Sequence, residues 1–166
     1  MLTAHELFGF MSPALADEIL EASFADNRDV YRATLNAVAQ SKRVRPVFLE
    51  RQPRKERHKA MAAALSRPSM EEASSGQLRG WLVRHQSAVL IDFLNALGIV
   101  HKDGVVEELP PTMEDSKLAG ALDLLLGKHP QEVVVVYLHA FNSMNGAGWA
   151  NLQTALENDA RLQFKH

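Results

Sequence analysis

The stretch QLRGWLVRHQSAVLIDFLNAL, residues 77–97, decides the fold class. Its large apolar residues recur at helical spacing, so that Leu78, Val89 and Phe93 fall on one stripe. The pattern predicts one long helix that lies across the centre of the domain and ends at Gly98, because glycine commonly follows the last turn of a helix.

Shorter helical patterns lie on both sides of this stretch. Alanine and leucine, both strong helix formers, supply 22 residues each, whereas isoleucine occurs only 3 times. Ser12 before Pro13 is a typical helix start, because proline is well tolerated at the first helical position. Apolar repeats at helical spacing predict further helices after Ser12, after Asn27, within 55–66, around 118–125, within 130–144 and around 149–156.

Two segments have sequence patterns that are compatible with β-strands. The run Val133–Leu138 suits a buried strand or a buried helix, and we favour a helix because Pro130 and Glu132 are typical of a helix start. Residues 99–108 predict a small β-hairpin, since Asp103-Gly104 separates two β-branched pairs.

Composition excludes several classes of protein. The 166 residues include no cysteine, so disulfide frameworks, thiol nucleophiles and cysteine-bound metal centres are absent. The longest run of large apolar residues is much too short to cross a membrane. The formal net charge of −2 predicts neither bulk nucleic-acid binding nor an acidic tail. We therefore expect a cytoplasmic protein without a membrane partner.

Positive charge is concentrated in residues 42–59. This basic segment holds eight lysines and arginines against two glutamates, a net charge of +6. Arginine binds phosphate groups in a bidentate manner, so the segment is a candidate site for nucleic acid or another phosphate-bearing ligand. The alternative, which we favour, is a solvated connection whose apolar trio 47–49 anchors it to the core. The candidate ligand-binding residues are Arg43, Arg45, Arg51, Arg54, Lys55 and Arg57.

Catalytic and metal-binding motifs are missing from the sequence. No two of the seven histidines are spaced by one helical turn, so we predict neither a metal site nor a cofactor. His85 is the candidate base, because its position on the apolar stripe of residues 77–97 predicts burial, which would lower its pKa. A core histidine bound to a backbone carbonyl is the structural alternative.

These observations predict an all-α fold of about seven helices and one small hairpin, as a single helical domain over residues 1–166. The function that fits best is a non-enzymatic binding or interaction protein whose partner is another protein or a second copy of itself, as a homodimer. The alternative is a binder of nucleic acid or a phospholigand through residues 42–59. The third hypothesis is an enzyme with a buried histidine base.

Overall fold

The structure, a computed structural model, describes residues 2–144 and 146–165. Throughout this part of the chain the regular secondary structure is helical, which confirms the all-α prediction. None of these helices is both long and apolar enough to span a lipid bilayer. The described residues form two compact units, an N-terminal unit over residues 2–84 and a C-terminal unit over residues 85–165. That the chain forms one domain stays a prediction.

Six helices build the N-terminal unit. Ser12 begins α2 as predicted, since its hydroxyl accepts a hydrogen bond from the Leu15 amide at 3.1 Å. The core of this unit lies where α2, α3 and α5 pack together, around Ile19, Val38 and Met61. The helices are α1 (Ala4–Phe10), α2 (Pro13–Asp26), α3 (Arg28–Lys42), α4 (Pro46–Glu50), α5 (Arg54–Leu65) and α6 (Glu71–His85), with a 3-10 turn over Pro68–Met70.

Four helices build the C-terminal unit. Its core helix is α9, in which every residue from 133 to 142 is buried. The prediction of a helix over the run Val133–Leu138 is therefore confirmed. Phe93 packs edge-on against Tyr137 and Phe141 of α9, with ring centroids 5.7 and 5.0 Å apart. The helices are α7 (Ser87–Leu97), α8 (Asp115–Lys128), α9 (Gln131–Ser143) and α10 (Ala150–Asn158), with a 3-10 turn over Ala160–Leu162.

The prediction of one continuous helix over residues 77–97 is wrong. The backbone leaves the helical conformation at Gln86, where φ is −122° and ψ is 24°, so that α6 ends and α7 begins. Leu78 is buried in the N-terminal unit, whereas Val89 and Phe93 are buried in the C-terminal unit. The apolar stripe is continuous in sequence, but it supplies two different cores.

The predicted hairpin over residues 99–108 is also wrong, although its turn is present. Asp103 and Gly104 have φ values of 53° and 87°, as a tight hairpin turn requires. Only one bridge follows, between Lys102 and Val105, and no strand extends from it within the described residues. Val100 and Val105 are 90% and 71% exposed, so no buried face stabilises longer pairing.

The count of about seven helices is too low, because the described residues form ten α-helices. The break at Gln86 adds one helix. Another is α4, whose five residues lie inside the basic segment that the sequence presents as a connection between helices. The apolar trio 47–49 anchors this segment through Leu49 alone, which is 1% exposed, whereas Val47 and Phe48 are 44% and 58% exposed.

Candidate functional site

Three helices of the N-terminal unit bring titratable side chains together. Asp17 and Glu21 lie one turn apart on α2, so both carboxylates project from one face of that helix. Tyr31 lies on α3, and Arg57 and His58 are neighbours on α5. Because α5 packs against both α2 and α3, these five residues form one cluster, which we call the His58 cluster.

His58 is at the centre of the His58 cluster, and its side chain is fully buried. Its Nε2 atom lies 2.8 Å from the Tyr31 hydroxyl, in a hydrogen bond. Its Nδ1 atom lies 3.5 Å from an Asp17 oxygen and 3.4 Å from a Glu21 oxygen. Both carboxylates are within ion-pair distance, but neither contact has the geometry of a hydrogen bond, so Nδ1 has no hydrogen-bond partner among the described residues.

The surroundings of His58 favour a neutral imidazole. Burial lowers the pKa of His58, and this effect outweighs the nearby carboxylates of Glu21 and Asp17, which raise it. Burial also raises the pKa of the Tyr31 phenol, opposed by the guanidinium of Arg57. At neutral pH the pair is therefore an uncharged phenol and an uncharged imidazole.

A small cavity of about 200 Å³ lies beside the His58 cluster. Three arginines line it, together with one acidic residue, Glu50. Glu50 lies 3.9 Å from Arg32, a long distance for an ion pair. The lining residues of this arginine cavity are Phe24, Arg28, Tyr31, Arg32, Leu35, Glu50 and Arg57.

Arg57 is the buried arginine of this cavity, with 9% of its surface exposed. Its Nη1 donates a hydrogen bond of 3.1 Å to the Glu50 carbonyl oxygen. Its Nε–H has no hydrogen-bond partner in the described part of the chain. A buried guanidinium with an unpaired N–H is costly, because a charged donor has lost water without gaining an acceptor.

An aromatic ring holds the arginines in place. The guanidinium carbons of Arg28, Arg54 and Arg57 lie 4.2, 4.8 and 5.6 Å from the centre of the Phe24 ring. Arg54 also pairs with Glu21 at 3.0 Å. The Phe24 ring thereby contacts two of the cavity arginines, Arg28 and Arg57.

A second opening, an apolar groove of about 580 Å³, lies among α1, α2 and α5. Asp17 and His58 lie in its wall, and Lys55 and Lys59 supply its positive charge. The His58 cluster is therefore next to a groove large enough for a small organic molecule.

The structure separates the six basic residues that the sequence singles out. Arg43, Arg45 and Arg51 are exposed around α4, and Arg43 closes α3 in the left-handed conformation with φ of 57°. Arg54 pairs with Glu21, Lys55 lines the apolar groove and Arg57 lines the arginine cavity. Two cavity arginines, Arg28 and Arg32, lie outside the basic segment and escaped the sequence analysis.

His85 is exposed, so the prediction that it is buried is wrong. It is the last residue of α6, directly before the break at Gln86, and the helical stripe that placed it in a core does not continue there. The hypothesis that His85 acts as a base depended on its burial, and an exposed His85 removes that support. The buried histidine of the N-terminal unit is His58.

No family model, curated protein or solved structure matches this chain.

Sequence reasoning missed the His58 cluster because its members lie on three helices and up to 41 positions apart in the sequence. The one local signal is the pair Asp17 and Glu21, spaced by one helical turn. Nothing in the pattern of α5 indicates that His58 faces this pair. The expectation that the chain has no metal site and no cofactor stays untested.

Proposed function

We propose that the chain is a binding protein that takes up a small phosphate-bearing anion in the arginine cavity of its N-terminal unit. The proposal keeps the binding class expected from the sequence and moves the site from the exposed basic segment to the cavity. One observation carries it: Arg57 is buried, lines the cavity, and has an Nε–H that no described residue accepts.

Charge in the cavity supports an anionic ligand. Arg28, Arg32 and Arg57 contribute three positive charges, and Glu50 contributes one negative charge. The planar guanidinium matches the geometry of phosphate oxygens better than an ammonium group does. A bound anion would therefore be held by several charged donors from two helices.

Size supports a small ligand. The cavity of about 200 Å³ is below the 300–1,000 Å³ that is usual for drug-sized ligands. Inorganic phosphate or the phosphate end of a larger molecule fits this scale.

We also place the protein in the cytoplasm, which agrees with a chain that has no cysteine for disulfides.

Titration calorimetry with inorganic pyrophosphate, in chelator-treated buffer, tests the proposal. We expect saturable binding by one ligand per chain that weakens as salt rises. Arg57→Gln removes a charge-assisted contact and is expected to lower the affinity about 10-fold or more. Because Arg57 is also part of the core, Arg28→Gln on the exposed rim serves as a second variant, with the same direction of change.

Arg51→Gln is the matched control, because it removes an exposed arginine of the basic segment that is not in the cavity wall. We expect its affinity to stay close to that of the parent chain. Equal losses in Arg51→Gln and Arg28→Gln would mean that the anion follows overall charge, and the cavity would not be the site.

A second candidate function, contact with another protein or with a second copy of the chain, is favoured by the exposure of Val47 and Phe48. Both side chains lie on α4 next to the exposed cations of the basic segment. Val47→Ser with Phe48→Ser would then lower the mass measured by light scattering, whereas Val83→Ser, a 72% exposed position on α6, would not. An unchanged mass in the α4 variant would contradict contact with a second copy of the chain through this surface.

A further inference from the structure

We propose that Asp17, Glu21 and His58 form a binding site for a divalent transition-metal ion, with Zn²⁺ as the best fit. The three side chains each offer one ligand atom, and these atoms all lie within 4.8 Å of one another. The inference concerns different groups from the anion contacts of the arginine cavity, so either proposal stands if the other fails.

Two distances in this cluster are longer than a typical hydrogen bond and fit the edges of a tetrahedral metal site. The Nδ1 atom of His58 lies 3.5 Å from Asp17 and 3.4 Å from Glu21. An N–H···O hydrogen bond is shorter, with a heavy-atom distance of about 2.7–3.2 Å. Ligands bound tetrahedrally to Zn²⁺ at about 2.0–2.1 Å are separated by about 3.4 Å along each edge.

The unpaired Nδ1 atom is an independent observation that points to a ligand. The side chain of His58 is fully buried, and Nδ1 faces both carboxylates without a hydrogen bond to any described residue. Buried polar atoms normally have a partner, so this atom requires an explanation. A cation held between Nδ1 and the two carboxylates supplies one.

The hydrogen bond on the other side of the ring completes the arrangement. Metal-bound histidines usually donate their second ring N–H to an acceptor, which fixes the tautomer. The Tyr31 hydroxyl, 2.8 Å from Nε2, is in place to accept that proton when Nδ1 binds a metal.

Charges around the site support a dication. Asp17 and Glu21 supply two negative charges, and Arg54 Nε lies 3.0 Å from a Glu21 oxygen in an ion pair. A polar contact of this kind at a ligating carboxylate is typical of the outer shell of a metal site. Three protein ligands leave a fourth position open, and Asp17 and His58 both lie in the wall of the apolar groove. Water or a ligand atom from the groove would occupy that position.

Zinc titration of the untagged, chelator-treated chain against a chromophoric chelator tests the site. We expect one Zn²⁺ per chain, and loss of that ion in the Asp17→Asn, Glu21→Gln double variant, which keeps the side-chain shapes. At saturating zinc the parent Tm is expected to rise by about 5 °C or more. Tyr31→Phe is expected to lower the affinity about 10- to 100-fold, as for other outer contacts.

Glu18→Gln is the matched control, since Glu18 is exposed on the same helix, next to Asp17. It is expected to bind one Zn²⁺ like the parent chain. Equal zinc content in the double variant and the parent, or no zinc in the parent, would overturn the proposal. If the double variant fails to fold, the visible spectrum of the Co²⁺-loaded parent decides: a tetrahedral spectrum supports the site, and an octahedral spectrum or no bound Co²⁺ overturns it.

Discussion

Single residues in the cores carry polar atoms that the packing leaves unpaired. The hydroxyl of Tyr137 on α9 is buried and has no hydrogen-bond partner among the described residues, and burial raises the pKa of the phenol far above its usual range. Its ring nevertheless packs edge-on against Phe93. The residue therefore serves as an aromatic core residue whose hydroxyl lowers stability.

Tyr137→Phe removes that hydroxyl and keeps the ring. Because an unpaired buried hydroxyl costs about 1–3 kcal/mol, we expect the free energy of unfolding to rise by about 1 kcal/mol. Urea unfolding followed by circular dichroism measures it. A loss of more than 1 kcal/mol would show that the hydroxyl has a partner.

The buried His139 makes the free energy of unfolding depend on pH. Burial lowers its pKa to about 4, below the usual value of 6.5. The unfolded chain then takes up a proton more readily than the folded chain, so stability is full above pH 6.5 and falls as the pH drops towards 4.

Urea unfolding at pH 7 and pH 4.5 tests this residue. We expect the parent chain to lose about 2 kcal/mol more than His139→Gln over that range. Other groups titrate in both proteins and cancel in the comparison. Equal losses in the two proteins would remove His139 as the cause.

At the scale of elements, an ion pair joins α7 and α8. Asp92 on α7 accepts a hydrogen bond from His129 at 2.7 Å and contacts Lys128 at 3.1 Å. The hydrogen bond from His129, followed by that from Lys128, holds the pKa of Asp92 below its usual range. The pair therefore stabilises the packing of the two helices while the carboxylate is ionised.

Asp92→Asn is expected to lower the free energy of unfolding by about 1–2 kcal/mol near pH 6, because a charge-assisted hydrogen bond is lost. Asp103→Asn removes the same charge from an exposed turn of the same unit and is expected to change little. Thermal unfolding of both variants measures the difference. A similar Tm for the two would contradict a specific role for Asp92.

Helices were predicted correctly from the sequence where a local pattern of residues identifies them. Ser12 and Pro13 fixed the start of α2, and the apolar period identified α9 although its run of valines also suits a strand. The break at Gln86 escaped, because the stripe of residues 77–97 stays in phase across it. The period of apolar residues predicts which residues are buried, but it does not show that these residues belong to two different cores.

At the scale of the whole molecule, composition predicted the all-α class and the absence of disulfides. It predicted positive charge only as a segment, residues 42–59. The cavity instead combines Arg57 of that segment with Arg28 and Arg32 of α3. Sequence analysis also missed His58, because its partners lie on two other helices. Grouping of this kind depends on helix packing, which no local pattern encodes.

The central claim, that an anion binds in the arginine cavity, is tested most directly by NMR of the arginine Nε–H groups during titration with pyrophosphate. The account predicts a saturable shift of the Arg57 and Arg28 signals, while those of Arg43 and Arg45 stay in place. Shifts confined to the exposed Arg43 and Arg45 signals, or no saturable shift at Arg57, would contradict it.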